Sequence, residues 1–332
     1  MKIHYSLFTI HKTLAVIGFA LMIFFSSCKY FTPKDDKDFA VLDTASIQKI
    51  FITDKGKHQI LLVREKNNWK VNDRFYTRKD AIDLLLAGIH DIHVNRPVSI
   101  NEHNNVVKDM ASSALKVQIF TTEKEPIKTY YVGGTAKDYQ GNYFLMDGSE
   151  QPYVVEIPGF NGEVSVRYIR EEIDWRNRTI CKLLPSEIQS IEVKYFDERK
   201  DESFKMEAKN LNEFILTPNG NADGKKCFSL FNEFRKLNSL AYVMDLPEIQ
   251  PYKTKPPFAI VDVITKTGNR QTLELAHVPL GRRSKKQFDD FGKPMSFDSE
   301  NYYAWINNHT DFVMIQDFTL RNILKLRKDF LK

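Results

Sequence analysis

Apolar and polar residues alternate along most of this chain beyond residue 45, and the alternation comes in two rounds. Ile47-Gln48-Lys49-Ile50-Phe51-Ile52 opens the first round, and Ile188-Gln189-Ser190-Ile191-Glu192-Val193 opens the second. A period of two turns one side of a strand toward a core and the other toward water, so both runs predict half-buried strands. A second strand follows each, at 59–63 and 203–208, and then a third, at 69–71 and 213–216. The period then lengthens. Ile82, Leu85, Leu86, Ile89 and Ile92 recur at spacings of three and four, as do Leu230, Phe231, Phe234, Leu237 and Leu240. That spacing collects one apolar stripe on a helix face. Asp80, near the start of the first helix, suits the positive end of its dipole.

Four more strands close each round: 115–120, 129–132, 143–146 and 153–157 in the first, and 259–264, 271–276, 302–306 and 312–315 in the second. Asp147-Gly148 and Lys266-Thr267-Gly268-Asn269 supply the glycines that hairpin turns need at positive φ. Each round then runs into a predicted helix, at 164–172 and 320–331. Runs of antiparallel strands with segregated helices give an α+β chain. We expect two tandem copies of a mostly antiparallel sheet, each with one or two helices packed on one face. The first copy spans 46–173, a connector spans 174–187, and the second copy spans 188–332.

The segment ahead of the first copy carries an address. Lys2 and Lys12, with His4 and His11, precede an apolar run over residues 14–25, and Ser26-Ser27-Cys28 follows it. The run is shorter than the roughly 20 residues a bilayer-crossing helix needs. A basic start, a short apolar stretch and small residues before a cysteine read as a lipoprotein signal over 1–27, although Phe25 stands where an aliphatic residue is usual. Cys28 then becomes the mature N-terminus and carries palmitate-type acyl chains, each buried CH₂ contributing about 0.8 kcal/mol of membrane attachment. Residues 28–45 read as a solvated tether. Within it, Lys34-Asp35-Asp36-Lys37-Asp38 is similar to the charged clusters of surface-exported lipoproteins. The expected location is the cell envelope, more readily the outer membrane, with the body in the periplasm or at the cell surface.

Composition narrows the partners. The formal charge of +5 falls to +3 when Lys2 and Lys12 leave with the signal, too small a balance for a nucleic-acid binder. Besides Cys28, only Cys181 and Cys227 remain. They are either an oxidised pair or two buried apolar residues.

Ile47-Gln48-Lys49-Ile50, Asn68-Trp69-Lys70-Val71, Leu84-Leu85-Leu86 and the junction Trp175-Arg176-Asn177-Arg178-Thr179-Ile180 together give the chain a family likeness. In these residues it resembles bacterial lipoproteins of the domain-of-unknown-function 4340 family. The resemblance runs from about residue 39 to 320. It implies an envelope protein, in some members associated with transport or gliding-motility machinery, and it brings no catalytic residues. The second copy departs from the pattern, with Phe214 near where Trp69 would align.

Candidate chemistry is sparse. His90, Asp91, His93, Glu102 and His103 form the densest group of metal-type ligands, but they fall at a predicted helix end without a second spaced pair. Gly133-Gly134-Thr135-Ala136-Lys137 lacks phosphate-loop spacing and reads as a hairpin loop. No nucleophile elbow occurs, and Glu171-Glu172 and Asp289-Asp290 give no reason for a raised pKa. We therefore expect no enzyme activity, no metal and no cofactor. The clearest asymmetry between the copies is a long connection over 278–301 that holds Arg282, Arg283, Lys285 and Lys286, where the first copy has only 133–142. Long loops on rigid scaffolds often carry function, and this one suits an acidic protein, an anionic glycan or lipid headgroups. The expected role is a membrane-tethered, non-enzymatic accessory or scaffold subunit that binds a protein partner in an envelope complex. The alternative is a glycan- or peptide-binding lipoprotein using Tyr139, Tyr143 or Tyr302 between the copies.

Overall fold

The computed structural model describes residues 35–332 except Lys57, Asn219, Asp245 and Arg283. Cys28 and Arg283 lie outside the described residues. The first sheet uses β1 (Lys49–Thr53), β2 (Gln59–Glu65), β3 (Asn68–Val71), β4 (Phe75–Tyr76), β5 (His93–Pro97), β6 (Leu115–Phe120), β7 (Lys128–Thr135), β8 (Asn142–Met146) and β9 (Tyr153–Glu156). Helices α1 (Lys79–Asp91) and α2 (Ile100–Ser113) interrupt it, and α3 (Glu172–Trp175) leads to the junction. After β10 (Thr179–Cys181), the second sheet begins with β11 (Ile188–Tyr195), β12 (Phe204–Ala208) and β13 (Phe214–Thr217). Helix α4 (Gly224–Asn232), β14 (Leu237–Asn238) and β15 (Ala241–Tyr242) follow. The copy ends with β16 (Ala259–Thr265), β17 (Arg270–Pro279), β18 (Phe297–Ile306), β19 (Asp311–Gln316) and α5 (Asp317–Leu320).

The two sheets trace one path. The first is ordered β4-β3-β2-β1-β6-β7-β8-β9-β5 and the second β13-β12-β11-β16-β17-β18-β19-β15. Apart from β4, every strand of one has its counterpart in the other, and every pairing is antiparallel. The α+β class with two tandem, mostly antiparallel sheets is thus what the chain forms. Register carries the likeness to single residues. Ile50 faces Leu62 and Leu62 faces Val71; Ile191 faces Met206 and Met206 faces Leu216. Counting back two residues along β3 and β13 sets Phe214 at the position of Trp69.

Alternation builds one core per sheet. Ile50, Ile52, Leu62, Val117, Ile119, Tyr130 and Phe144 meet Ile82, Leu85 and Ile89 of α1. Ile191, Val193, Met206, Val261, Val263 and Leu275 meet Leu230, Phe231 and Phe234 in the second copy. No residue of the first cluster lies beyond Trp175 and none of the second before Cys181.

Each sheet is covered on both faces, which corrects the expectation of helices on one face only. The opposite parity of strand residues, Tyr131, Tyr143, Leu145 and Val154, packs under Val106 and Met110 of α2. In the second copy, Val278, Tyr303 and Phe312 pack under Val243, just after β15, and Ile249, carried by a 3₁₀ segment at Pro247–Tyr252. Two terminal helices are also corrected. Residues 164–172 form a 3₁₀ turn, Val164–Arg167, because the Asn142 side-chain oxygen takes the N–H groups of Val164 and Ser165 at 2.7 and 3.1 Å. Residues 320–331 are not one helix, because their last turn pairs with residues 221–223. Asp223 N–H donates to the Phe330 carbonyl at 2.8 Å and Lys332 N–H to that of Asn221 at 2.9 Å. Tertiary pairing outweighs local propensity here.

The tether is shorter than 28–45. Phe39 is 2% exposed and meets the rings of Tyr130, Phe144 and Tyr153 edge-on. The Asp36 carboxylate accepts from the Tyr153 hydroxyl at 3.0 Å and from the Ser149 hydroxyl at 3.3 Å, and Asp38 pairs with Lys128. Acids of the charged cluster thus fasten this segment to the first sheet.

The copies meet at the junction. The Arg176 guanidinium lies 3.9 Å from the Phe75 ring and 4.0 Å from the Tyr242 ring, and it donates to Asp311 at 2.8 Å. Phe75 belongs to the first sheet, Tyr242 and Asp311 to the second. Arg78 N–H donates to the Trp175 carbonyl at 2.8 Å, and the Tyr242 hydroxyl donates to that of Asn177 at 2.7 Å.

Candidate functional site

The metal-type residues do not converge. His90 bonds its neighbour Asp91 at 2.5 Å, Glu102 pairs with Lys137 at 3.0 Å, and His103 bonds the Glu150 carbonyl at 2.9 Å. No group of three metal-ligating side chains occurs among the described residues. Gly133 and Gly134 lie inside β7 rather than in a hairpin loop. The Gly133 carbonyl accepts from Asn142 at 3.3 Å, where the register of β7 against β8 shifts. Cys181 and Cys227 are free, buried thiols, and burial pushes each pKa up to about 11. Such thiols stay protonated and inert.

The three tyrosines do not share a groove either. Tyr139 is exposed in the turn before β8, Tyr143 packs under α2, and Tyr302 belongs to the second core, with its hydroxyl on Asp317 at 3.1 Å. Within the described residues no helix is long and apolar enough to cross a membrane.

The asymmetric connection is a built structure. Between β17 and β18 the second copy inserts residues 280–296, where the first copy joins β7 to β8 through 136–141. The ribbon has two tiers. Gly281 and Ser284 close a turn on each other, and the Gln287 amide donates to both of their carbonyls at 2.9 and 3.0 Å. Beyond it, Phe288 bridges Pro294 in a small hairpin, and Asp289 N–H donates to the Lys293 carbonyl at 2.8 Å. One Asp289 oxygen takes the N–H groups of Phe291 and Lys293 at 2.9 and 2.8 Å. Gly292 sits at φ +79°, a left-handed turn that a residue without Cβ adopts freely.

Lys285 reaches Glu300 only at 3.9 Å and Lys286 reaches Asp290 at 3.5 Å; Arg282 is exposed. Exposed pairs this loose leave the charges available to a partner. The tip bears Phe291, 96% exposed, and the bridging Phe288 beneath it is 58% exposed. At the ribbon's base the His277 ring is stacked between Phe258 at 4.1 Å and Phe297 at 4.2 Å. Burial, helped by the Arg199 guanidinium, holds His277 below its ordinary pKa. Sequence reasoning found the basic run but not the phenylalanines. The signal was there in Phe288-Asp289-Asp290-Phe291-Gly292, a turn-forming run with an aromatic at its tip.

A second pair of positions is equivalent between the copies. Thr53, Lys116, Tyr131 and Leu145 stand side by side across four strands of the first sheet, and Lys194, Ile260, Glu274 and Trp305 do so in the second. The first row lines a groove of about 370 Å³ with Val107, Met110 and Ala111 of α2 and with Ala114 just past its end. The second lines one of about 360 Å³ that is charged. There Asp262 accepts from Arg270 at 2.9 and 2.7 Å, His309 bonds Glu274 at 2.6 Å, and the Trp305 indole donates to the Lys253 carbonyl. The first groove is the more open to an apolar guest, since in the second these polar groups are paired with one another.

The sequence matches the family described as Domain of unknown function (DUF4340) over residues 78–257, more than half of the chain. The chain belongs to this family. The matched span begins at the start of α1 and ends ahead of β16, so it straddles the junction and takes in Leu84-Leu85-Leu86 and Trp175 to Ile180. The ribbon over 280–296 lies outside it. No curated protein and no solved structure matches.

Proposed function

We propose that this member of the DUF4340 family is a membrane-tethered envelope lipoprotein that acts as a non-enzymatic accessory or scaffold subunit. The 280–296 ribbon is the observation that carries the reading. Its described residues form a protrusion with Arg282, Lys285 and Lys286 on one tier and exposed aromatics on the other. Arg283, outside the described residues, adds a fourth basic side chain in sequence. A rigid scaffold that projects such a loop is suited to binding a protein partner.

The short apolar run before Cys28 supports the anchor, with the acylated cysteine in the bilayer. Asp36, where attachment to the first sheet begins, lies eight Cα steps beyond Cys28, and eight steps reach at most about 29 Å. The body is then held against the envelope membrane, the outer membrane by preference, where partners of a transport or motility complex would meet it.

The test has two parts. Labelling with an alkyne fatty acid should mark the wild type and not Cys28→Ala, and the variant should leave the membrane fraction. In-cell crosslinking should recover a recurrent partner that is lost when Arg282, Arg283, Lys285 and Lys286 become Ser. Equal recovery with the four-residue variant would count against the ribbon as the contact.

A second reading is a periplasmic or surface lipoprotein that holds a peptide or glycan. The groove beside α2 favours the peptide, because its size falls in the range of small-ligand sites and its walls are mainly apolar. A peptide library raising the melting temperature of the wild type, and not of a groove variant Ala111→Trp, would establish it.

A further inference from the structure

We infer that Phe291 is the anchor of the partner contact, and that the partner is a protein offering an apolar pocket within an acidic surface. The inference rests on the scaffold reading and names the chemistry of its other half. Single exposed apolar residues are ordinary on protein surfaces and need no explanation. Phe291 differs in how it is held. The Asp289 carboxylate fixes the N–H groups on both sides of the turn, Gly292 supplies the left-handed residue, and the Phe288–Pro294 bridge closes the hairpin beneath. The backbone that carries the ring is therefore fixed, and the residue stands 96% exposed. A turn ordered before binding loses little backbone freedom on docking, and large aromatics in pockets dominate the energetics of interfaces.

Charge selects the partner. Residues 280–296 contain five basic and two acidic side chains, an excess of three. That excess equals the formal charge of the whole chain after residue 27, so the rest of the body is balanced. One of the two acids, Asp289, is committed to the turn, and the other, Asp290, faces Lys286. Arg282, Lys285 and Lys286 thus lie at the hairpin's root while the ring stands at its tip. A complementary surface puts acids around an apolar pocket. A lipid bilayer fits less well, because Asp290 is 89% exposed next to Phe291 and would have to enter the interface beside the ring. A second copy of the chain also fits less well. Its groove beside α2 is lined by Lys55 and Lys116 against one acid, Asp54, which is already paired with His58 at 2.8 Å, so it offers the basic ribbon no acidic surround.

The experiment places a photo-crosslinking phenylalanine analogue at position 291 of the full-length lipidated protein in cells, and in parallel at Phe318, an exposed ring on α5. The expected result is one protein adduct from position 291 and none from 318. Mass spectrometry should locate the adduct on the partner among apolar residues flanked by Asp and Glu. The same adduct should fall at least fivefold with Arg282→Glu, Lys285→Glu and Lys286→Glu together, and on raising salt, with an unchanged melting temperature. Separately, Phe291→Ala should abolish co-purification of that partner and Phe291→Trp should keep it. An adduct made only to lipid, or to a second copy, overturns the inference. So does a partner that still co-purifies while position 291 gives no adduct; that outcome leaves the scaffold reading standing on another surface. Absence of any partner at every position and crosslinker length takes down both.

Discussion

The two copies differ in a patterned way. Their inner faces are interchangeable in kind: α1 lies on one sheet and α4 on the other, each burying a stripe of aliphatic and aromatic side chains. Their outer faces are not. The first carries the 14-residue helix α2 over an apolar groove; the second carries a 3₁₀ turn over Tyr303 and Phe312 and leaves a charged row beside it. The turn from β7 to β8 is short, and its counterpart has become the 280–296 ribbon. The fold depends on the inner faces, which cannot change without losing a core. The outer faces and their connections are freer to diverge, and there the features proposed to bind a partner gather.

The largest expected effect falls on an inner face. Phe231→Ala removes a fully buried ring and should destabilise the second copy by about 3–5 kcal/mol. Because the two cores share no residue, chemical denaturation should resolve a transition for the second copy that moves while that of the first does not. A single transition shifted as a whole would mean that the junction couples the cores tightly. Arg176→Ala probes that coupling. It strips Asp311 of a partner in a site where both side chains are almost wholly buried, at a cost of about 3 kcal/mol. It should also weaken the coupling, so that the two copies melt more independently than in the wild type. Gly141→Ala should cost about 1–3 kcal/mol in the first copy alone, since its φ is +115° and a Cβ there would come within 2.3 Å of the Val155 carbonyl oxygen.

The smallest effect concerns pH. His277 has a folded pKa below its unfolded value, so its neutral form is the one the stack holds. The stability it contributes is complete above about pH 6.5, the unfolded value, and is lost as pH falls through the folded value. The protection of amides at residues 277–297, with exchange corrected for the pH dependence of the unprotected amide, should therefore fall between pH 7.5 and 5.5. His277→Phe should remove that dependence while keeping the ribbon; protection that falls equally in the variant would assign the effect to another group.

Much of this was legible in the sequence, for physical reasons that also explain the gaps. All fourteen predicted strands form, because each must turn alternate residues toward a core, and that demand writes a period of two. The edge strands β5 and β15 were not legible. His93 to Pro97 is polar and mostly exposed, and Ala241–Tyr242 is two residues long; both exist through pairing with distant β9 and β19. Helix α2 escaped because only Val106 and Met110 of its 14 residues are buried, too few for a stripe. At the ribbon, the charge of Arg282, Lys285 and Lys286 is a matter of composition and could be read directly. Phe291 was legible only as an aromatic in a turn-forming run; its exposure was not, because an aromatic in sequence looks the same whether it will be buried or held out into water.

The central claim is that the ribbon of the second copy is the working surface of a tethered scaffold. The most direct test replaces residues 280–296 with the 136–141 turn of the first copy, a graft between equivalent positions of the same sheet path. The account predicts a lipidated protein with an unchanged melting transition and no crosslinked partner in cells. A graft that folds and still captures the same partner would contradict it.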